Sequence, residues 1–326
     1  MTRGAGRGWA GRSAYVWAVI TACVLGVVTA CAGPGGTDTR AHQDEKPGTA
    51  STAPAGGAEP GDTTRQPPQQ GREAEPQALK GARLNVREGQ VVGVGMPLSV
   101  TFDRPVPRAE RARVEEALKV RSAPAAEGAW SWVKDRNLLD GQRIDYRPRE
   151  FHAPGTRITV SIGSRLTRSV AVGRSLVATV DVRRHEMKVV TASGERRIPI
   201  TAGAPGMDTW NGTMVVSDKQ RRVLMDSRTV GYGDAYKDYY DYAVHLTASG
   251  TYLHQNPKAD QYAGRSNVTH GCIGLATDGT ARRFYEQVIP GDVIRVVGSK
   301  ETVAPGNGYG DWNLSWDQWR AGSALT

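Results

Sequence analysis

Three cysteines are present in the 326-residue chain, and only one of them lies in a segment with the pattern of a folded domain. Cys23 lies in an apolar stretch near the N-terminus, and Cys31 directly follows that stretch. Cys272 is therefore left without a disulfide partner. The N-terminal pattern described below is typical of an exported protein, and the cysteines of exported proteins usually pair. A single thiol therefore indicates a reactive side chain or an intermolecular bridge, with a buried inert thiol as the alternative.

The residues around Cys272 have types suited to nucleophilic catalysis. Gly271, immediately before the cysteine, permits a backbone conformation or a close approach that other residues do not. A thiol on such a turn, with neighbouring N–H groups pointing the same way, has a ready oxyanion hole. Free cysteine has a pKa of about 8.5 and needs a base near neutral pH. The candidate bases are His254, at the end of an apolar strand, and His270, two residues before the thiol.

The loop from Gln255 to Thr269 connects the first histidine to the cysteine turn. Two neighbouring strand ends joined by such a loop would bring imidazole and sulfur together. His254, His270 and Cys272 are also possible zinc ligands. No second cysteine and no ligand-spaced carboxylate completes a tetrahedral set, so we predict no metal and no cofactor. The remaining alternative to a catalytic or metal site is that this segment is an ordinary glycine turn among core residues.

Short apolar runs separated by glycine and proline predict β-strands along most of the chain from Leu84 onward. In residues 81–174 they predict a small β-sandwich, crossed at one end by a helix from Glu110 to Val120. No reactive cluster occurs in this domain, which favours a role as a spacer or positioning module. Residues 175–300 are predicted to form a second, mostly β domain with one short helix, Thr280 to Val288.

The first thirty residues contain three arginines, no acidic residue and an apolar run from Ala14 to Ala30. Such a pattern is typical of a secretory signal, so residues 1–30 are predicted to be a signal peptide. A transmembrane anchor needs about 20 apolar residues, and Thr21 and Gly26 interrupt this run. The sequence Val28-Thr29-Ala30-Cys31 resembles a bacterial lipobox, which implies lipidation of the cysteine.

Residues 31–80 are rich in Gly, Pro, Thr, Gln and Ala and have almost no large apolar side chain. Such a segment cannot bury enough surface to offset its ordering entropy, so we predict a disordered tether. With a lipid at Cys31, it would hold the folded domains at the extracellular face of the cytoplasmic membrane, facing the cell wall.

The formal net charge is +9 at neutral pH. Nucleic acid is not the expected partner, because charges of both signs alternate and export separates the protein from nucleic acid. An anionic wall polymer is the expected electrostatic partner.

The histidine and the cysteine turn together resemble a known family. His254, a loop and then Thr269-His270-Gly271-Cys272 are similar to the signature of the L,D-transpeptidases, whose catalytic domain is of the YkuD type. Asp311 to Gly322 resembles the C-terminal segment of the actinobacterial members, and Trp130 to Gly155 resembles their Ig-like domain. The resemblance implies an Ig-like β-sandwich, a YkuD-type catalytic domain and a segment, residues 301–326, that packs on the catalytic domain.

The resemblance implies peptidoglycan cross-linking by acyl transfer. Cys272 would be the nucleophile, His254 its base and His270 a catalytic neighbour that shapes the pocket. The backbone N–H groups of Gly271 and Cys272 would form the oxyanion hole. A tetrapeptide donor stem would lose D-Ala, and an acceptor stem would resolve the acyl-enzyme to give a 3→3 bridge. Carbapenems are implied covalent inhibitors. An L,D-carboxypeptidase and a non-catalytic wall-binding lipoprotein are the alternatives.

The resemblance also implies a substrate pocket. Tyr236 matches a tyrosine of the family's lid, which here would span Asp226 to Tyr240, and Met225 matches a residue of the donor pocket. Thr269 is a further expected substrate-binding residue. Gly274 departs from the family, which commonly has Arg or Asn two residues after the cysteine, so any contact made by that side chain is missing or supplied elsewhere. Gln255 replaces Ser or Gly, and its backbone carbonyl is still able to orient the base.

Overall fold

The computed structural model describes residues 74–326. These residues form mostly β-strands with few and short helices, which confirms the predicted fold class. None of the described helices is both long and apolar enough to span a membrane. The predicted signal peptide, the lipidation site Cys31 and most of the predicted tether lie outside the described residues.

The first domain is a sandwich of two four-stranded sheets over one apolar core. Its elements are β1 (Arg83–Leu84), β2 (Val91–Val92), β3 (Leu98–Thr101), α1 (Arg108–Glu116), β4 (Leu118–Ala123), β5 (Gly128–Trp132), β6 (Arg143–Pro148), β7 (Arg157–Ile162) and β8 (Leu166–Val172). The sheets have the strand orders β1-β3-β6-β5 and β2-β8-β7-β4. Alternate residues point inward, so that Ile158, Val160 and Ile162 of β7 are buried.

Two sequence predictions for this domain are wrong at their boundaries. The predicted helix to Val120 ends at Glu116, because Leu118 and Val120 pair with Ile162 and Val160 of β7 in a strand. The predicted disorder does not extend to residue 80. Residues Gln77–Gly81 form a 3-10 helix, and Leu79 inserts into the core of the sandwich with 2% exposure.

The second domain packs a five-stranded sheet against a four-stranded sheet. Its elements are β9 (Leu176–Asp181), β10 (Glu186–Thr191), β11 (Gly194–Pro199), β12 (Gly212–Val215), β13 (Asp218–Asp226), a 3-10 helix (Ser227–Val230), β14 (Lys237–His245), β15 (Tyr252–Gln255), α2 (Ala259–Tyr262), β16 (Ile273–Leu275), α3 (Thr280–Gln287) and β17 (Val293–Val297). The strand orders are β11-β10-β9-β17-β12 and β13-β14-β15-β16. Buried residues of both sheets and of α3 share one core.

The two domains are joined by backbone contacts that leave no room for side chains. The N–H of Gly93 donates to Pro290 O, and that of Gly95 donates to Gly291 O. A Cβ at Gly93 would lie 2.2 Å from the backbone of Gly291. Arg174 donates to the buried Asp292 carboxylate from both terminal guanidinium nitrogens, Nη1 and Nη2, at 2.7 and 2.9 Å. This packing fixes the orientation of the first domain on the second.

The C-terminal segment, which the sequence predicted to pack on the catalytic domain, contacts both domains. The Asn313 side chain bonds both the N–H and the carbonyl of Thr213 in β12. Beyond it, α4 (Trp316–Arg320) packs on the first domain. The fully buried Trp319 donates to Ala129 O, and the Arg147 guanidinium lies 4.7–5.5 Å from the rings of three tryptophans of the segment. The segment is therefore a strap across the domain boundary.

His152 is a buried side chain of the first domain whose ring nitrogens have no hydrogen-bond partner among the described residues. Burial lowers its pKa to about 4, and burial has the same effect on His254 of the second domain. Both rings are therefore neutral in the folded protein at neutral pH. Because burial depresses the pKa of these two histidines in the folded state, the unfolded chain binds protons more readily than the folded protein below about pH 6.5. The free energy of unfolding is therefore undiminished above about pH 6.5 and decreases as the pH falls towards 4.

We expect His152→Phe to leave stability at pH 7 unchanged or higher, since no hydrogen bond is lost. The variant should lose less stability on acidification than the wild type, with a difference of up to about 3 kcal/mol near pH 4. Urea titrations at several pH values between 7 and 4 measure this. An equal acid response of the two proteins would contradict it.

Candidate active site

The upstream histidine lies in β15, and the cysteine directly precedes the neighbouring strand β16. β15 and β16 pair in parallel, with Leu253 opposite Ile273 and His254 opposite Gly274. Directly paired residues share a face and side chains alternate along a strand, so His254 and Cys272 lie on the same face. This is the arrangement that the strand–loop–strand pattern predicts.

The opposite face of the same two strands fixes this register. Leu253, Ile273 and Leu275 are at most 1% exposed and lie in the core between the two sheets. A slip of one residue would turn all of them away from the core and turn the imidazole into it. The burial of three apolar side chains therefore determines where the histidine points.

The turn before the cysteine is held by hydrogen bonds. The Thr269 hydroxyl donates to the Cys272 carbonyl over 2.6 Å, and the Thr269 N–H donates to Ala202 O. Gly271 has φ of 101°, a conformation that a side chain would strain. Thr269 was expected to bind substrate. It is 4% exposed and its hydroxyl is engaged, so in this structure it is a positioning residue.

The N–H groups of Gly271 and Cys272 donate no hydrogen bond to any acceptor within residues 74–326. Both belong to the turn that carries the thiol, and Gly271 lines a cavity beside it. Free donors next to a nucleophile are what a developing oxyanion requires.

His254 is a buried imidazole in a defined tautomer. Its Nδ1 lies 2.6 Å from the carbonyl oxygen of Gln255, which only accepts, so Nδ1 carries the proton. Nε2 is therefore an unprotonated acceptor. Burial lowers the pKa of the ring to about 4, and the Tyr240 ring packs against it at 4.7 Å between centroids. The backbone carbonyl of Gln255 does orient the ring, whatever side chain that position carries.

The Cys272 thiol is a neutral group in this state. It is 8% exposed, and Sγ lies 3.7 Å from Gly250 O. Burial raises its pKa to about 11, against the smaller opposing effect of the Tyr252 N–H. Neither histidine hydrogen-bonds the thiol within the described part of the chain. The resting pair is thus a neutral thiol and a neutral imidazole.

The segment from Asp226 to Tyr240 covers the thiol as a folded lid. The hydroxyl of Ser227 donates to Gly233 O and Tyr236 O and accepts from the Tyr236 N–H, which closes the loop on itself. Tyr236 packs beside His270 at 5.2 Å, and burial raises the pKa of this tyrosine to about 12. Met225, directly before the lid, shares a small apolar cluster with Cys272 and with Tyr236 and Tyr240 of the lid.

His270 differs from His254 in its surroundings. It is only partly buried, and its ring lies between Tyr232 and Tyr236 of the lid, at 5.5 and 5.2 Å. Burial, with a smaller effect of the Lys258 charge, lowers its pKa. His270 lines the cavity beside the thiol and contacts the lid, a placement that fits shaping of the pocket.

Gly274, expected among the substrate-binding positions, is buried in β16. A Cβ there would lie 2.9 Å from Thr201 Cγ2 and 3.0 Å from Asn256 Cβ. These side chains occupy the space that a family Arg or Asn would need. Packing therefore disfavours a side chain at this position, and a substrate contact here stays a prediction for the backbone alone.

No three His, Cys, Asp or Glu side chains lie together as metal ligands in residues 74–326. Two contributors to the site carry no signal in the sequence: Gly250, whose carbonyl faces the thiol, and Asn256 beside Gly274. They come from loops brought in by folding, and no local pattern marks them.

Comparison with known proteins gives two family matches. Residues 175–297 match the L,D-transpeptidase catalytic domain (YkuD), and residues 40–165 match a bacterial Ig domain. These matches confirm the predicted combination of an Ig-like domain with a YkuD catalytic domain.

Individual relatives agree with the family matches. L,D-transpeptidase 1 of Mycobacterium tuberculosis (strain ATCC 25618 / H37Rv) is 34% identical over 223 residues, 67% of this chain and 84% of the relative. L,D-transpeptidase 2 of Mycobacterium tuberculosis (strain CDC 1551 / Oshkosh) is 31% identical over 257 residues, 73% of this chain but 60% of that protein. The structure of LdtMt1 in complex with imipenem has a TM-score of 0.59 at 31% identity, covering 66% of this chain and 97% of that one. The chain belongs to the L,D-transpeptidase family.

The buried thiol predicts slow alkylation. With a pKa of about 11, Cys272 has a thiolate fraction at pH 7 roughly a hundredfold below that of a thiol titrating near 9. Iodoacetamide labelling of Cys272, followed by peptide mass analysis, should accelerate by about tenfold per pH unit up to pH 10. A rate that levels off below pH 8 would instead indicate a thiolate–imidazolium pair.

Packing around Gly274 predicts a steric cost for any side chain. Gly274→Ala is expected to lower the free energy of unfolding by about 1–3 kcal/mol. Thr201→Ser removes the Cγ2 that the new Cβ would meet and keeps the hydroxyl that donates to Ser266 O. In urea titrations, Gly274→Ala should therefore lower the free energy of unfolding less in the Thr201→Ser variant than in the wild type. An equal decrease in both proteins would contradict this steric explanation.

Proposed function

We propose that this protein is a peptidoglycan L,D-transpeptidase that forms 3→3 cross-links through an acyl-enzyme on Cys272. The main support for this activity is that His254 and Cys272 lie on the same face of the β15–β16 pair, and that the unprotonated Nε2 of His254 is free to accept a proton. Membership of the family supports the reaction class.

In the first half-reaction, His254 Nε2 takes the thiol proton as Cys272 Sγ attacks the carbonyl carbon before the terminal D-Ala of a donor tetrapeptide. The resulting oxyanion would accept hydrogen bonds from the N–H groups of Gly271 and Cys272. Such a donor is worth about 3 kcal/mol in transition-state stabilisation. Collapse breaks the C–N bond, and His254 returns the proton to the leaving amine, which departs as D-Ala. A thioester on Cys272 remains.

In the second half-reaction, the side-chain amine of an acceptor stem attacks the thioester carbonyl. His254 takes a proton from the attacking nitrogen and returns it to the leaving sulfur, so that the new amide forms and the thiol is restored. Water in place of the amine would give an L,D-carboxypeptidase. Because the resting pair is neutral, the proton moves only when a substrate carbonyl is in place, which keeps an idle thiol unreactive.

Carbapenems are proposed covalent inhibitors of the same thiol. Among the relatives, one solved structure contains imipenem, and one of L,D-transpeptidase 3 contains a faropenem-derived adduct. A strained lactam carbonyl would acylate Cys272 by the same first half-reaction.

We also propose that the protein is a lipoprotein. After removal of residues 1–30, a lipid on Cys31 would anchor it to the membrane, and residues from 31 towards the first domain would tether the catalytic domain within reach of the wall. The basic and apolar N-terminal pattern and the residues before Cys31 support this.

Mass analysis of muropeptides after incubation with purified protein tests the activity. Wild type should give dimers with 3→3 bridges, and Cys272→Ala should give none. His254→Gln should lose about 10²–10⁴-fold in rate, as expected for a general base, while His270→Gln, which alters a pocket neighbour, should lose less. Unchanged urea midpoints establish that each variant is folded.

Three results would contradict the transpeptidase assignment. Tripeptide products without dimers would identify a carboxypeptidase. No product, together with no carbapenem adduct at Cys272 in the folded wild type, would indicate a wall-binding protein without catalysis. Full activity of His254→Gln would remove the assigned base.

A further inference from the structure

A cavity of about 660 Å³ opens beside the cysteine turn and is lined by both domains. It reaches Gly250, which faces the thiol, and Gly271, next to the thiol. The lid contributes residues 229–232 and Tyr236 on one side. On another side the wall is formed by Arg136 and Asn137, which belong to the Ig-like domain. The first domain therefore borders the site directly.

The loop that carries Arg136 is held in place from within its own domain. Asp135, the preceding residue, accepts a hydrogen bond from the buried Arg143 guanidinium at 2.7 Å. The other Asp135 oxygen accepts the Asn137 N–H, also at 2.7 Å. These bonds shape the loop around Arg136 and leave its guanidinium outside the network.

The same loop is fixed to the catalytic side through the strap. The Arg136 N–H donates to Gly306 O at 2.9 Å, and a Cβ at Gly306 would lie 2.0 Å from Lys134 O, so the two backbones are in close contact. Asn307 then accepts from the Ser249 N–H and donates to its hydroxyl. Ser249 precedes Gly250, whose carbonyl faces the thiol. A short series of hydrogen bonds thus relates the position of Arg136 to that of Cys272.

The charge of Arg136 is uncompensated in this cavity. Arg136 is the only Lys or Arg among its lining residues, and the side chain is exposed. Asp208, the only lining carboxylate, is paired with Lys300 at 3.0 Å. Within the described chain, the Arg136 guanidinium makes no ion pair or hydrogen bond. Five N–H donors are therefore available to an anion that enters the cavity.

We propose that Arg136 binds a carboxylate of a stem peptide at the cavity mouth and so makes the Ig-like domain part of the substrate site. This inference rests on the proposed transpeptidase function, since stem peptides supply the anion. A guanidinium matches a carboxylate with two parallel hydrogen bonds, which a lysine cannot reproduce. The carboxylate can belong to the donor or to the acceptor stem. Such a role goes beyond the spacer or positioning role that the sequence of this domain predicts.

Steady-state kinetics of the full chain test the proposal with Arg136→Ala and Arg136→Gln. Donor and acceptor stems are each supplied with a free carboxylate or with the matching carboxamide. Arg121→Ala, which removes an exposed arginine of the same domain that does not line the cavity, is the control. For one of the two carboxylate stems, both Arg136 variants should raise KM about tenfold with little change in kcat. The same variants should leave KM for the carboxamide form of that stem unchanged.

The stem whose KM responds identifies the partner of Arg136. The proposal is overturned if both Arg136 variants are folded and keep wild-type KM values for all four stems. It is also overturned if KM rises equally for the carboxylate and the carboxamide form of a stem. Wild-type protein that turns over no stem would instead overturn the proposed function itself. Arg136→Lys should recover only part of the affinity, because the bidentate geometry is lost.

Discussion

The parallel pairing of β15 with β16 is the interaction on which the whole site depends. Burial of Leu253 and Ile273 on the core face leaves only one register, and that register turns His254 and Cys272 to the same side. Parallel neighbours need a long connection, and here that connection carries the turn with Thr269 and Gly271. The packing energy of ordinary core residues is therefore what positions the chemistry.

Burial on the active face has a second consequence, which is electrostatic. The same low-polarity surroundings raise the pKa of the thiol and lower that of the imidazole, so both are neutral at rest. The lid contributes by covering Cys272 with tyrosines. A cysteine in this state is protected from adventitious reaction. In the proposed mechanism, its activation is coupled to the arrival of a carbonyl carbon beside donors that favour an oxyanion.

Domain packing extends the site beyond the catalytic sheet. Glycines at the contact, the Arg174–Asp292 pair and the C-terminal strap hold the Ig-like domain in one orientation. A loop of that domain consequently has a constant place at the cavity. Without such packing, a separate domain would be expected to move relative to its neighbour, and a residue such as Arg136 would have no defined relation to the thiol.

The sequence by itself determined the fold class, the two-domain order and the candidate residues for the chemistry, because alternation of side chains and the His254 to Cys272 pattern are local signals. Only the tertiary structure decided the roles of the surrounding positions. Thr269 bonds the cysteine carbonyl, Gly274 is closed off by neighbours, and Leu79 belongs to a core rather than a tether. Each of these depends on contacts between segments far apart in the chain, and no local pattern encodes which distant surface a residue meets.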